Sequence, residues 1–240
     1  MSKRVAILQS SYIPWKGYFD IVHDVDEFIF LDDVQYTIRD WRSRNRIKTP
    51  QGTRWLSIPV GSNRNRRICD VPLPQSWQAA HRRALELSYG RAPFFASFQP
   101  QLDSIYGQQF ATLSELNQFT IRAIAHDVLR TTTVFRDSRE FSVNASKQDR
   151  LLEILRQTGA AVYVSGPAAK SYIDGSLFAL HGIELVWKEY GGYPEYPQLY
   201  PPFVHEVSVL DLLFHVGHEA PRYIWGWRDQ KLSTASMTRD

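Results

Sequence analysis

The sequence predicts an α/β fold: a mostly parallel sheet with flanking helices, plus an inserted basic β-hairpin and helical segment. Three observations predict it. A strand–helix–strand succession opens the chain, short apolar runs return later between helical stretches, and an arginine-rich stretch of hairpin character separates the two parts.

The elements follow in order. Residues 5–8 are a short apolar run that reads as a buried strand. Pro14 and Gly17 flank the turn after it, residues 18–25 have helical spacing, and residues 27–31 form a second strand ended by Asp32-Asp33. Residues 46–49 and 55–60 read as a hairpin with Pro50-Gln51-Gly52 in its turn, and residues 62–67 as a polar loop. Helical spacing returns over residues 77–87, 94–106 and 113–129, followed by a β-branched strand at 132–135. A helix over residues 147–158 ends at Gly159 as its C′ residue. Residues 162–164 are a strand, Ser165-Gly166 a turn, and Pro167 stands where a helix begins. Residues 184–187 are a further strand and residues 208–216 an amphipathic helix. With no repeat, low-complexity linker or composition break, residues 1–232 read as one domain and 233–240 as a disordered tail.

At 240 residues, 43% hydrophobic and 22% charged, the chain can bury a proper core and has ordinary globular composition. Seven Trp and twelve Tyr are many for this length. They serve either thick packing between layers or a site that stacks planar or sugar-like groups. Cys69 is the single cysteine, so no intrachain disulfide can form, and nothing around it supplies the partner a nucleophile needs. The apolar run at 5–8 is too short for a secretory signal, and no stretch approaches the length of a membrane span, so a cytoplasmic location is expected. No spacing of His, Cys and carboxylates suggests a metal, and no Gly-rich phosphate loop is present; no cofactor is expected.

Charge is unevenly spread. Nine Lys or Arg stand against the single acid Asp40 between Arg39 and Arg67, a local +8 that leaves −5 for the rest of a +3 chain. Such a segment can meet phosphates of a nucleotide, a lipid-linked sugar or nucleic acid, although no nucleic-acid-binding module is legible. Residues 9–60 also crowd Tyr12, Trp15, Tyr18, Asp32, Asp33, Trp41, Arg44, Asn45 and Trp55 together, a mixture that suits a pocket for a polar ligand.

If the strands run parallel, their polar endings converge on one edge, where open α/β sheets bind ligands. Those endings are Gln9-Ser10, Asp32-Asp33, Ser165-Gly166 and Glu189-Tyr190. Asp32 and Asp33 are adjacent in an extended chain and point oppositely, so one is the candidate general base while the other braces an arginine. Ser165 and Gly166 are either an anion site of free backbone N–H groups or an ordinary N-cap. Ser208 and Asp211 are spaced like a capping box. The string His215-Val216-Gly217-His218 matches a nucleotidylyltransferase motif but trails a helix near the C-terminus, with Gly217 as terminator, and reads as chance. His81 and His205 read as structural.

The blocks LQSSYIPWKGYF, EFIFLDDVQY, WRSRNRI and WLSIPV, followed by AVYVSGPAAKSYID and SVLDLLFHVG, resemble the WbqC-like family. The resemblance runs from Val5 to about Gly217 with the blocks in family order. Two positions depart: Ser10 stands where the family has Pro after Gln, and His215 where it has Asn. The resemblance implies a place in bacterial surface-polysaccharide (O-antigen) biosynthesis and transfer of glycine or another small acyl group to an amino sugar. It brings no catalytic residues.

Attack of an amine on an activated carboxyl group needs a base, oxyanion donors and cations for a diphosphate. The residues assign Asp32 or Asp33 as base, Asn45 or the Gly166 turn as oxyanion donor, and Arg44 with Arg46 as phosphate clamp. Trp15, Trp41 and Tyr12 stack against the sugar or base, and Gln9 is a further substrate-binding residue. The expected partners are a nucleotide- or lipid-linked amino sugar and an activated acyl or aminoacyl donor. The alternative is a non-catalytic protein that binds a sugar nucleotide or acyl donor. A nucleic-acid binder ranks last.

Overall fold

The computed structural model describes residues 2–228; the tail expected at 233–240 lies outside the described residues. Five strands form a parallel sheet in the order β5-β2-β1-β6-β7, with β1 at Arg4–Leu8, β2 at Glu27–Phe30, β5 at Val134–Asp137, β6 at Val162–Ser165 and β7 at Glu184–Trp187. Strands β3 (Arg44–Thr49) and β4 (Gly52–Ser57) make a separate antiparallel hairpin. The mixed α/β prediction therefore holds, as does the inserted hairpin.

Alternate side chains of each strand divide between the two faces, as the pleat requires. Ala6, Phe28, Phe30, Val162 and Val164 pack into one core; Val5, Ile7, Ile29 and Tyr163 pack into the other. The first core takes helices α1 (Lys16–His23), α2 (Gln78–Tyr89), α3 (Gln99–Tyr106), α4 (Leu113–Ala123) and α7 (Val209–Val216). The second takes α5 (Lys147–Thr158) and α6 (Gly175–Leu180). Both faces are covered, which is why these strands read as continuous apolar runs rather than as alternation. Each fully buried aromatic of the first core, such as Phe19 or Phe28, contributes roughly 1.5–3 kcal/mol.

From β1 the chain moves outward to β2; from β6 it moves the opposite way to β7. The direction of winding reverses between the adjacent strands β1 and β6, and that reversal opens a crevice beyond their carboxyl ends.

Several local expectations change. α6 was not expected; Asp174 starts it by accepting Ser176 N–H at 3.0 Å. The helix expected over 113–129 is α-helical to Ala123 and closes in a π-turn over Ile124–Val128. Gly159 ends α5 in the left-handed region (φ 69°), as its position required. Ser208 caps α7, but Asp211 does not complete a capping box. Its carboxylate is fully buried and accepts from Tyr89, Tyr196 and Gln198 at 2.8–2.9 Å. Ser165 does not cap the helix after β6: that segment is a five-residue 3₁₀ turn, Pro167–Ser171, preceded by Gly166.

Candidate functional site

A cleft of about 540 Å³ occupies the crevice between β1 and β6. Leu8, Gln9 and Ser11 from the end of β1 form its floor with Tyr163, Ser165 and Gly166 from β6. Pro14, Trp15 and Tyr18 make one wall and Ala168, Ala169 and Tyr172 another. Trp41, Arg42, Asn45 and Arg46 lean in from the hairpin side, with Tyr190 and Glu206 from the long irregular stretch after β7.

The loop after β1 is held from three directions. Asp32 accepts the Ser10 N–H at 2.8 Å, and Ser114 Oγ and Gln118 Nε2 donate to its other oxygen at 2.5 and 3.2 Å. Asn45 donates through Nδ2 to the carbonyls of Tyr12 and Ile13, while Arg46 N–H donates to Asn45 Oδ1 at 2.8 Å. Tyr12 has its ring in the core, and its hydroxyl meets His81 Nδ1 and Tyr106 Oη, both at 2.8 Å. Burial brings His81 down to about 4, so its ring is neutral near pH 7.

Sequence-predicted residues separate accordingly. Gln9, Trp15, Trp41, Asn45, Arg46, Ser165 and Gly166 line the cleft. Asp32, Asp33, Tyr12 and Arg44 do not. Asp32 is fully buried and engaged by three donors that fix the loop. Asp33 points to the other face of the sheet, where Ser138 Oγ donates to it at 2.6 Å and Arg150 of α5 pairs with it. Arg44 lies over the Trp55 ring, 4.1 Å from its centroid. Asn45 reaches the cleft wall, but its amide is committed to the loop carbonyls.

Arg42, Ser11 and Glu206 enter the site without having been singled out from the sequence, and Tyr190 enters it from a strand ending that was. Arg42 donates to Ser11 Oγ at 3.0 Å and to Gln9 Oε1, and lies 3.7 Å from Asp40. The Nε atoms of Arg42, Arg44 and Arg46 are all buried without a hydrogen-bond acceptor among the described residues. Of the three, Arg42 and Arg46 reach the cleft. Trp15 meets Tyr190 edge-on at 5.2 Å and Tyr193 at 6.1 Å. Its indole lies across Gly17, where a Cβ would come within 2.2 Å of Cζ2, so only glycine permits this wall.

Behind that wall Lys16 is 2% exposed, and its Nζ has no hydrogen-bond acceptor among the described residues. The ammonium lies over the rings of Tyr193, Tyr196 and Phe203 at 5.0–5.7 Å. Burial brings its pKa down to about 8, against the upward pull of Asp211, Glu206 and Glu195.

His215 has a structural role. Its Nδ1 donates to the Asp211 carbonyl at 2.7 Å, and its Nε2 accepts from Leu199 N–H at 3.0 Å. No group of three or more His, Cys, Asp or Glu side chains could hold a metal among the described residues.

The fold and this crevice define a doubly wound α/β protein with a cleft at its switch point, lined by aromatic side chains and a few polar ones. Residues 9–223 match the WbqC-like protein family, and the chain belongs to that family. An uncharacterized protein of Mycobacterium tuberculosis is 45% identical over 226 residues, covering 92% of this chain and 97% of the relative. No solved structure matches the chain.

Proposed function

We propose that the cleft binds an amino sugar carried on a nucleotide or lipid diphosphate, and that the protein transfers an activated acyl or aminoacyl group, such as glycine, to its amine. The product would enter a bacterial surface polysaccharide such as O-antigen. The observation that carries this reading is the pairing of indole walls with two guanidinium groups at the sheet's switch point. Arg42 and Arg46 take the diphosphate, and Trp15 and Trp41 take the sugar or base. The amine nitrogen attacks the acyl carbon of a thioester or acyl adenylate, the thiolate or nucleotide leaves, and the amine proton passes to a base. Glu206 is the carboxylate at the cleft that can receive it.

A second reading is a non-catalytic carrier of the same ligand. It is favoured by one observation: Asp32 and Asp33, one of which was expected to act as base, are both engaged by structural donors outside the cleft. One experiment separates the two. Thermal shift against UDP- and dTDP-linked amino sugars comes first, since a ligand at a hundred times its Kd adds about 2.7 kcal/mol. Mass spectrometry of the amino sugar after incubation with acyl-CoA, or with glycine and ATP, then follows. A shift with acylated product supports the transferase, a shift without product under any donor supports the carrier, and no shift removes the soluble sugar-nucleotide ligand from both.

A further inference from the structure

Two large indoles stand in solvent beside the cleft. Trp41 is 43% and Trp55 41% exposed, in a chain that buries Trp77 to 4%. Their rings are 5.3 Å apart, tilted by 44°, so they form one patch. The patch is basic at its rim. Arg46 pairs directly across from Trp55 in the hairpin, and Arg44 lies two residues away on the same face. Their guanidinium carbons are 5.8 and 4.1 Å from the Trp55 centroid. Neither arginine meets a carboxylate among the described residues, and exposed Arg39 lies two residues before Trp41. Trp41 and Arg46 also line the cleft, so the patch is continuous with its mouth.

We propose that this hairpin face docks on an anionic phospholipid surface. The proposal rests on the transferase or carrier reading above and deepens it by naming the lipid-linked sugar as the ligand. Indole favours the headgroup layer, where its apolar body and N–H are both accommodated, and arginine pairs with lipid phosphates. No helix among the described residues is long and apolar enough to cross a membrane, so attachment would be peripheral. A substrate held by its lipid would then meet the cleft at the membrane surface, with Trp41 and Arg46 on its path. Single-stranded nucleic acid fits the patch less well. Stacked bases need open ring faces, and the Arg44 guanidinium already lies over Trp55.

The test uses the full chain in a sedimentation assay with two kinds of vesicle, phosphatidylcholine alone and phosphatidylcholine mixed equally with phosphatidylglycerol. The expected result is co-sedimentation with the anionic vesicles only, with a blue shift of tryptophan fluorescence and release at high salt. Arg44→Gln should weaken binding about fivefold, the equivalent of one cation at a charged surface. Trp55→Ala should remove part of the blue shift. Circular dichroism melts show whether either variant still folds. No binding by the wild-type chain would overturn the proposal, as would equal binding to neutral vesicles or displacement by a single-stranded oligonucleotide. Thermal shift of the wild-type chain with soluble sugar nucleotides is read in parallel. A ligand shift without vesicle binding sinks the docking surface and leaves the cleft reading standing, whereas vesicle binding without a ligand shift supports the docking surface and removes the soluble sugar nucleotide from the cleft reading, leaving the lipid-linked sugar as its ligand.

Discussion

Asn45 Nδ2 donates to the carbonyls of both Tyr12 and Ile13, at 3.1 and 2.9 Å, and holds Ile13 at a φ of +35°. A β-branched residue rarely takes positive φ, so the loop after β1 is strained and needs an outside grip. Asn45 supplies that grip from the hairpin, which ties the basic segment to the floor of the cleft.

Asn45→Ala leaves two buried carbonyls without a donor and should cost about 2–3 kcal/mol. Urea unfolding measures it, and a loss below about 1 kcal/mol would mean that the loop holds its own shape. The same variant should lose the thermal shift given by any cleft ligand, because Gln9 and Ser11 would no longer be fixed beneath Arg42.

Gly17→Ala tests the Trp15 wall. The added methyl would stand 2.2–2.7 Å from three indole atoms, so the ring must swing away. Alanine favours the helix by about 1 kcal/mol over glycine, which offsets the lost packing. Stability should therefore change little while ligand affinity falls as it does in Trp15→Ala. Equal affinity in wild type and Gly17→Ala would exclude Trp15 from ligand contact.

The carboxylates divide by role. Asp32→Ala removes the acceptor of three donors in a fully buried place and should cost about 2–4 kcal/mol. Glu206 is exposed, and Glu206→Gln should leave the melting temperature almost unchanged while lowering turnover on the order of 10²-fold. A Glu206→Gln protein with wild-type turnover would remove that residue from the reaction.

The parallel sheet was legible because strands covered on both faces stand out as apolar runs between helical stretches, as residues 5–8, 27–31 and 162–164 do. The convergence of Gln9, Ser165, Gly166 and Tyr190 then followed from parallel topology alone. Asp32 and Asp33 were not legible in their roles. A strand-end carboxylate looks the same whether it faces a ligand or donors 82 and 105 residues away, as Ser114 and Ser138 are. Arg42 was one cation among nine, and only its reach to Gln9 and Ser11 sets it apart. Glu206 lies in a stretch with no periodicity to place it. The Asp174 cap, two residues before Ser176, was the available signal for α6.

Lys16 makes the alkaline limb of the stability curve informative. Its pKa falls from 10.5 in a solvated chain to about 8 in the fold, chiefly through burial. Between those values the unfolded chain binds the proton that the native state has released, so stability contributed by this group rises with pH. Below about pH 8 both states are protonated, and the fold carries the full cost of a buried ammonium without a hydrogen-bond acceptor. Lys16→Met removes that charge and leaves an apolar side chain in place of the ammonium that faces Tyr193, Tyr196 and Phe203. The variant should be more stable than wild type near pH 7, and its advantage should shrink by about 3 kcal/mol as pH rises from 8 to 10.5. Taking the difference between the two proteins at each pH cancels the tyrosine ionisations that begin in the same range. Urea unfolding at several pH values gives that difference directly, and a flat difference would show that Lys16 keeps an ordinary pKa in the fold.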